Sequence, residues 1–259
     1  MDHPGMTPII FRTSGAGQPL LLLHAFPLNS GMWRPQIEGL EGAARLLAPD
    51  FPGFGASAEV PAVEDLDSLA RMIYEEAKAL GVDKAAVAGC SMGGYLAFAL
   101  LRIAPDFVKS LALINTKASA DNYQARANRL TLATRVKREG CSFLIDEWPQ
   151  TALSAETVSH KPGVVAAIQK MISEATPDGV AAAQIAMAGR PDSTGLLKNI
   201  DVPTVVIHGL DDRFVSEAEA RAMAGAIPHA TFAGVSRAGH IAGMEQPQSV
   251  NAVLRELIG

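Results

Sequence analysis

The sequence predicts an α/β protein with a mostly parallel, doubly wound sheet, helices on both of its faces and a helical segment inserted in the second half. Three observations predict this. Short apolar runs recur at Leu20–Leu23, Ala85–Ala88, Leu111–Ile114 and Thr204–Ile207, and such near-continuous runs suit strands covered on both faces. Segments of helical spacing separate them, and strand-helix-strand order favours a parallel sheet. Between about Asn115 and Pro203 the rhythm breaks, and no strand-like run occurs.

The elements follow in order. Leu66, Leu69, Ile73, Ala77 and Leu80 mark one helix, and Gly94 to Ala104 reads as another. In the segment without strands, Asn122 to Gly140, Cys141 to Trp148, Pro162 to Glu174 and Pro177 to Ala188 look helical. Pro149, His160-Lys161-Pro162-Gly163 and Thr176-Pro177 punctuate them. Ser216 with Glu219 reads as a capping box. Thr231 to Val235 is strand-like, and Val250, Val253, Leu254, Leu257 and Ile258 form a last helix, with Pro247 suited to its first turn.

A chain of 259 residues, 48% hydrophobic, suits one large core with an insertion. A charged fraction of 19% and a net charge of −5 indicate neither disorder nor a nucleic-acid binder. Two cysteines, Cys90 and Cys141, are too few for a disulfide-stapled scaffold. Met1-Asp2-His3-Pro4-Gly5 shows no basic region followed by an apolar run, so no signal peptide is expected. No apolar stretch reaches the ~18 residues needed to span a bilayer. The expected location is the cytoplasm, with no membrane and no nucleic-acid partner. Oligomeric state is not legible. Gly53-Phe54-Gly55 lacks the third glycine of a dinucleotide fingerprint.

The chemistry concentrates in a few residues. Ser91 stands in Gly89-Cys90-Ser91-Met92-Gly93, between a strand-like and a helix-like run. That G-x-S-x-G context is a nucleophile elbow, with glycines leaving room for neighbouring backbone. The helix N-terminus offers free N–H groups to a forming oxyanion. A serine hydroxyl needs a base. Of six histidines, His240 in Arg237-Ala238-Gly239-His240 follows a strand and precedes the last helix, which brings it to the same sheet edge as Ser91. His229 precedes its strand, and His208 ends one as a buried or supporting group. The base needs an acid, and Asp211 and Asp212 follow the strand that ends in Gly209. His24-Ala25-Phe26-Pro27 follows the first apolar run, so the Phe26 and Met92 N–H groups can form an oxyanion hole.

These residues resemble the α/β-hydrolase superfamily over nearly the whole chain. His24-Ala25-Phe26-Pro27 is similar to its His-Gly-x-Pro segment, with Ala25 in place of glycine. Asp50-Phe51-Pro52-Gly53-Phe54-Gly55 is similar to its Asp-x-x-Gly-x-Gly turn. Ser91-Met92-Gly93-Gly94-Tyr95 resembles the elbow of enol-lactonase-like and carboxylesterase-like members. Gly209-Leu210-Asp211-Asp212 resembles the acid loop, and Gly239-His240 with Glu245-Gln246-Pro247 the histidine loop. The resemblance implies that Asp212, three residues after the glycine, is the acid. It also implies an α/β-hydrolase core at residues 1–116 and 190–259, with a helical cap at 117–189. Phe26, Met92, Trp148, Met187, Phe214 and Ile241 are candidate pocket residues. The basic residues Arg126, Arg129, Arg135, Lys137 and Arg138 read as a solvated helix face.

The expected function is hydrolysis of a small carboxylic ester or lactone through an acyl-enzyme, with no metal or organic cofactor. A cofactor-free perhydrolase or haloperoxidase, or a carbon–carbon bond hydrolase, would use the same triad. A slow-turnover receptor would differ from all of these in turnover. Epoxide hydrolases and haloalkane dehalogenases of similar sequence carry aspartate at the elbow, where this chain has Ser91. Proline iminopeptidases usually read Ser-Trp-Gly, where this chain has Ser91-Met92-Gly93.

Overall fold

A computed structural model describes residues 8–259. The N-terminal residues read for a signal peptide lie outside the described residues. Seven strands form one sheet: β1 (Phe11–Ser14), β2 (Pro19–Leu23), β3 (Arg45–Pro49), β4 (Ala85–Cys90), β5 (Val108–Ile114), β6 (Thr204–Gly209) and β7 (Thr231–Val235). Their order is β1-β3-β2-β4-β5-β6-β7. Every pairing is parallel except β1 with β3. The apolar runs occupy the centre, where Leu20, Leu22, Val87, Leu111 and Ile207 are fully or almost fully buried.

Two strands lie beyond those read from sequence. β1 (Phe-Arg-Thr-Ser) is short, polar and at an edge, so it carries no apolar run. β3 is apolar but only five residues long and closes on Pro49.

The helices are α1 (Arg34–Gly39), α2 (Leu66–Ala79), α3 (Met92–Ile103), α4 (Tyr123–Glu139), α5 (Ser142–Ala152), α6 (Ala155–His160), α7 (Pro162–Ser173), α8 (Pro177–Gly189), α9 (Thr194–Leu197), α10 (Glu217–Ala226), α11 (Ala242–Glu245) and α12 (Pro247–Ile258). α3 packs on β2, β4 and β5 beside α2, while α12 packs with α1 and against β5 to β7. Right-handed crossovers put these two groups on opposite faces. The Ser216–Glu219 capping box forms as read, and Pro247 opens α12. No described helix is long and apolar enough to cross a membrane. Both cysteines are free thiols.

Helices α4 to α8 lie between β5 and β6, with α4 packed along α8. Asn122 caps α4 by accepting from the Ala125 N–H at 2.9 Å. Pro149 does not end a helix as its punctuation suggests. α5 continues through it to Ala152. The proline forfeits one hydrogen bond, but it is buried, and its carbonyl accepts from the Leu153 N–H at 3.1 Å. α6 was not legible as a separate helix because it has only six residues. Gly53 and Gly179 let α8 touch the turn after β3: a Cβ on Gly53 would stand 2.3 Å from the Gly179 Cα.

The chain reverses direction across the sheet between β2 and β4. In open α/β sheets a crevice forms at such a point, outside the carboxyl ends of the strands. The sharp turn from β4 into α3 sits there. Ser91 has φ of +53°, a strained value for a residue with a side chain. Gly93 makes the turn sterically possible, since a Cβ on it would stand 2.1 Å from the Leu23 carbonyl oxygen. Gly93→Ala is therefore expected to destabilise the protein by about 1–3 kcal/mol, read as a lowered urea midpoint with unchanged m-value.

Candidate active site

Four loops at the carboxyl edge of the sheet build the site. Ser91 stands at the N-terminus of α3, its own N–H donating to the Ile114 carbonyl at 2.9 Å and its carbonyl accepting from the Thr116 hydroxyl at 2.8 Å. The loop after β7 carries His240, which is 4% exposed. Its N–H donates to the Ala152 carbonyl at 2.7 Å. The loop after β6 carries Asp212, whose Oδ2 lies 2.9 Å from His240 Nδ1. Asp211 is exposed, so the contact with His240 belongs to Asp212.

Asp212 is held on all sides. Its Oδ2 also accepts from Asn115 Nδ2 at 2.8 Å, and its Oδ1 accepts from the Phe214 N–H at 2.8 Å. Burial works against its charge. His240, the Asn115 amide and the Phe214 N–H outweigh that cost and hold its carboxyl below the usual aspartate range. Asn115 carries no motif signature; its only trace in the sequence is its place directly after an apolar strand. Its backbone has φ of +47°, which asparagine tolerates better than most residues.

Glu245 fixes the histidine loop from below. It is fully buried, and its carboxylate accepts from the N–H groups of Gly239 at 2.9 Å, Ile241 at 3.2 Å and Ser154 at 2.8 Å. The two residues flanking His240 are thus tied to one side chain, and the start of α6 is tied to it as well.

The loop after β2 and the first turn of α3 each present one free backbone donor. The N–H groups of Phe26 and Met92 donate to no protein acceptor among the described residues. His24 anchors the loop after β2: its Nδ1 lies 3.0 Å from the Ala25 carbonyl, and its Nε2 accepts from the Phe51 N–H at 3.0 Å. This pattern requires the neutral ring with its proton on Nδ1. Burial, resisted by the Ala25 carbonyl and Asp50, lowers its pKa to about 4.

Ser91 and His240 open together on a cavity of about 350 Å³. Phe26, Trp148, Met187 and Phe214 are among the residues that line it. Ile241 does not line it: its apolar side chain is fully buried and joins the hydrophobic core instead. The Met92 side chain is also absent from the lining and instead borders a small apolar gap with Phe51, Phe54 and Leu66. Four polar residues that the sequence did not single out, Lys117, Asp121, Asn128 and Gln184, also line the cavity.

Arg126, Lys137 and Arg138 are exposed, as a solvated face requires. Arg129 is not part of that face. It turns into the cavity, where it pairs with Asp121. Among the described residues no group of three His, Cys, Asp or Glu side chains is placed to hold a metal ion.

The model of the alpha/beta hydrolase fold family matches residues 18–247. The chain belongs to that family. It is similar to a thermophilic esterase from Thermogutta terrifontis, solved with malate bound, at 40% identity over 96% of this chain and 92% of that one, with a TM-score of 0.92. It is also similar to the enol-lactonase from Burkholderia xenovorans LB400, at 25% identity over 96% of each chain and a TM-score of 0.88. A pimeloyl-[acyl-carrier protein] methyl ester esterase of Nitrosomonas europaea is 26% identical over 94% of this chain and 96% of its own length. The enol-lactonase and esterase resemblance read from the motifs is thus met by relatives of both kinds.

His24 has a measurable consequence. Its folded pKa of about 4 lies below the ordinary 6.5. Its contribution to stability is therefore complete above pH 6.5 and is lost as pH falls from there towards 4. Burial lowers the pKa of His208 as well, in the same sense. His24→Gln, which keeps an acceptor for Phe51, is expected to reduce the acid slope of unfolding free energy in that window by up to ~1.4 kcal/mol per pH unit. Urea unfolding of both proteins across the window measures the difference.

Proposed function

We propose that the protein is a serine hydrolase that cleaves a small carboxylic ester or lactone through an acyl-enzyme. The observation that carries this reading is the convergence on one cavity of Ser91 and His240, with Asp212 Oδ2 2.9 Å from His240 Nδ1. The unpartnered N–H groups of Phe26 and Met92 support it, as do the esterase and enol-lactonase relatives.

In the first half-reaction the Ser91 Oγ attacks the substrate carbonyl carbon while His240 Nε2 takes the hydroxyl proton. The carbonyl oxygen becomes an oxyanion and accepts from the Phe26 and Met92 N–H groups, which in a dry site can contribute about 3 kcal/mol each. The carbon–oxygen bond to the alcohol part breaks, and His240 returns the proton to the leaving oxygen. A water, deprotonated by His240, then releases the acid by the same steps. Asp212 holds the tautomer with its proton on Nδ1 and stabilises the imidazolium. Ser91 Oγ makes no hydrogen bond to His240 among the described residues, and contacts of this kind commonly tighten only when substrate binds.

Residues 117–189 act as the cap in this reading, and residues 1–116 and 190–259 as the core. The substrate lies between them, since α4, α5 and α8 supply Arg129, Trp148 and Met187 to the lining while the core supplies Ser91 and Phe26.

Ser91→Ala is expected to lower kcat on p-nitrophenyl butyrate by a factor on the order of 10⁴ or more, with KM little changed. Asp212→Asn is expected to lower it on the order of 10³–10⁴-fold. A fluorophosphonate is expected to label wild type at Ser91 and to leave the alanine variant unlabelled. Undiminished turnover in Ser91→Ala would overturn the reading.

A further inference from the structure

We propose that the cavity selects substrates whose acyl part carries a second, ionised carboxylate. The proposal rests on the serine-hydrolase reading and names its substrate class.

The cavity has two unlike ends. One is aromatic. Phe214 stands edge-on to the His240 ring with centroids 4.7 Å apart, and Trp148 lies 6.5 Å from Phe214. The other end is cationic. Arg129 pairs with Asp121 from within the lining. Arg190, just behind, reaches the second oxygen of Asp121 at 2.7 Å, and its guanidinium carbon lies 4.0 Å from the centroid of the Tyr95 ring. The Asp121 and Arg190 side chains are 1% and 4% exposed. One buried carboxylate therefore faces two guanidiniums, and one positive charge is left over.

Lys117 adds another. It lines the same cavity, and although its charge is felt by the Glu219 carboxylate, the two form no ion pair among the described residues. Arg129 Nη1 rests on Gln184 Oε1 and Met187 Sδ, both at 3.3 Å, while its Nη2 has no protein acceptor among the described residues. This positive excess is built into a partly enclosed, mostly apolar cavity of a chain whose net charge is −5. Cations drawn away from water favour an anionic partner, and a guanidinium and a carboxylate match in shape. A purely apolar acyl chain would leave Lys117 and Arg129 facing carbon.

The two ends also orient the substrate. His240 returns its proton to the leaving oxygen, so the alcohol part belongs beside the aromatic neighbours of His240. The acyl part then extends towards Tyr95, Lys117 and Arg129.

The test compares monomethyl glutarate with methyl valerate, which share chain length and leaving group and differ in the terminal carboxylate. Hydrolysis at neutral pH is followed by proton release. Wild type is expected to favour the hemiester by about tenfold or more in kcat/KM, mainly through KM, and to lose part of that preference as salt is added. Lys117→Gln and Arg129→Gln are each expected to lower the ratio of the two kcat/KM values about tenfold, with Arg129→Lys retaining part of it. Asp121 keeps Arg190 as its partner in both Arg129 variants.

Equal or reversed preference in wild type would overturn the proposal, as would a ratio that the glutamine variants leave unmoved. A preference that instead follows a carboxylate on the alcohol side, as in the valerate ester of glycolate, would also overturn it. Fluorophosphonate labelling of Ser91 separates the two levels. Labelling without the charge preference removes only this proposal, whereas a protein that neither labels nor cleaves either ester removes the hydrolase reading with it.

Discussion

The passage from β4 into α3 is the constraint on which the site depends. Three pieces of backbone meet there at contact distance. A Cβ on Gly89 would stand 2.2 Å from the Gly93 carbonyl oxygen, and one on Gly93 would stand 2.1 Å from that of Leu23. Only hydrogen fits at either position. The close approach lets Ser91 sit at φ of +53° above the sheet, with its side chain directed at the cavity. The strain at Ser91 is balanced by the surrounding parallel strands, since Cys90 pairs with Ile114 and Leu23 with Gly89.

Buried carboxylates organise the loops around this turn. Asp50 accepts from the N–H groups of Ser30 at 2.6 Å and Ala56 at 2.8 Å, joining the loop after β2 to the turn after β3. Asp212 joins the loops after β5, β6 and β7, and Glu245 joins the histidine loop to the start of α6. A carboxylate can accept several N–H bonds at once, and burial strengthens each of them. The loops are irregular, but few of their backbone groups are free to reorganise.

Much of this was legible because its causes are local. The apolar runs became central strands, Ser216 capped the helix it precedes, and Ser91, Asp212 and His240 fell in the loops after β4, β6 and β7 at one sheet edge. What escaped was short or nonlocal. β1 has no apolar signature, α5 passes through Pro149 because tertiary packing outweighs one lost hydrogen bond, and Ile241 faces the core although it adjoins His240. Asn115 acts through partners distant in sequence, and Glu245, although it stands in the histidine-loop motif, also reaches the distant Ser154; no local pattern announces such contacts.

Arg129 shows most plainly where sequence reasoning stops. On α4 it is one of five basic residues, and periodicity alone places it on a solvated face. Its inward direction depends on Asp121 and on α8, which brings Gln184 and Met187 beside it from more than fifty residues away. The sequence by itself determined the central strands, the elbow and the chain order of Ser91, Asp212 and His240, because strand hydrophobicity and turn sterics are properties of neighbouring residues. Tertiary structure alone decided which side chains line the cavity and where its charge lies, because helix packing sets the direction of each side chain and burial sets the strength of each charge.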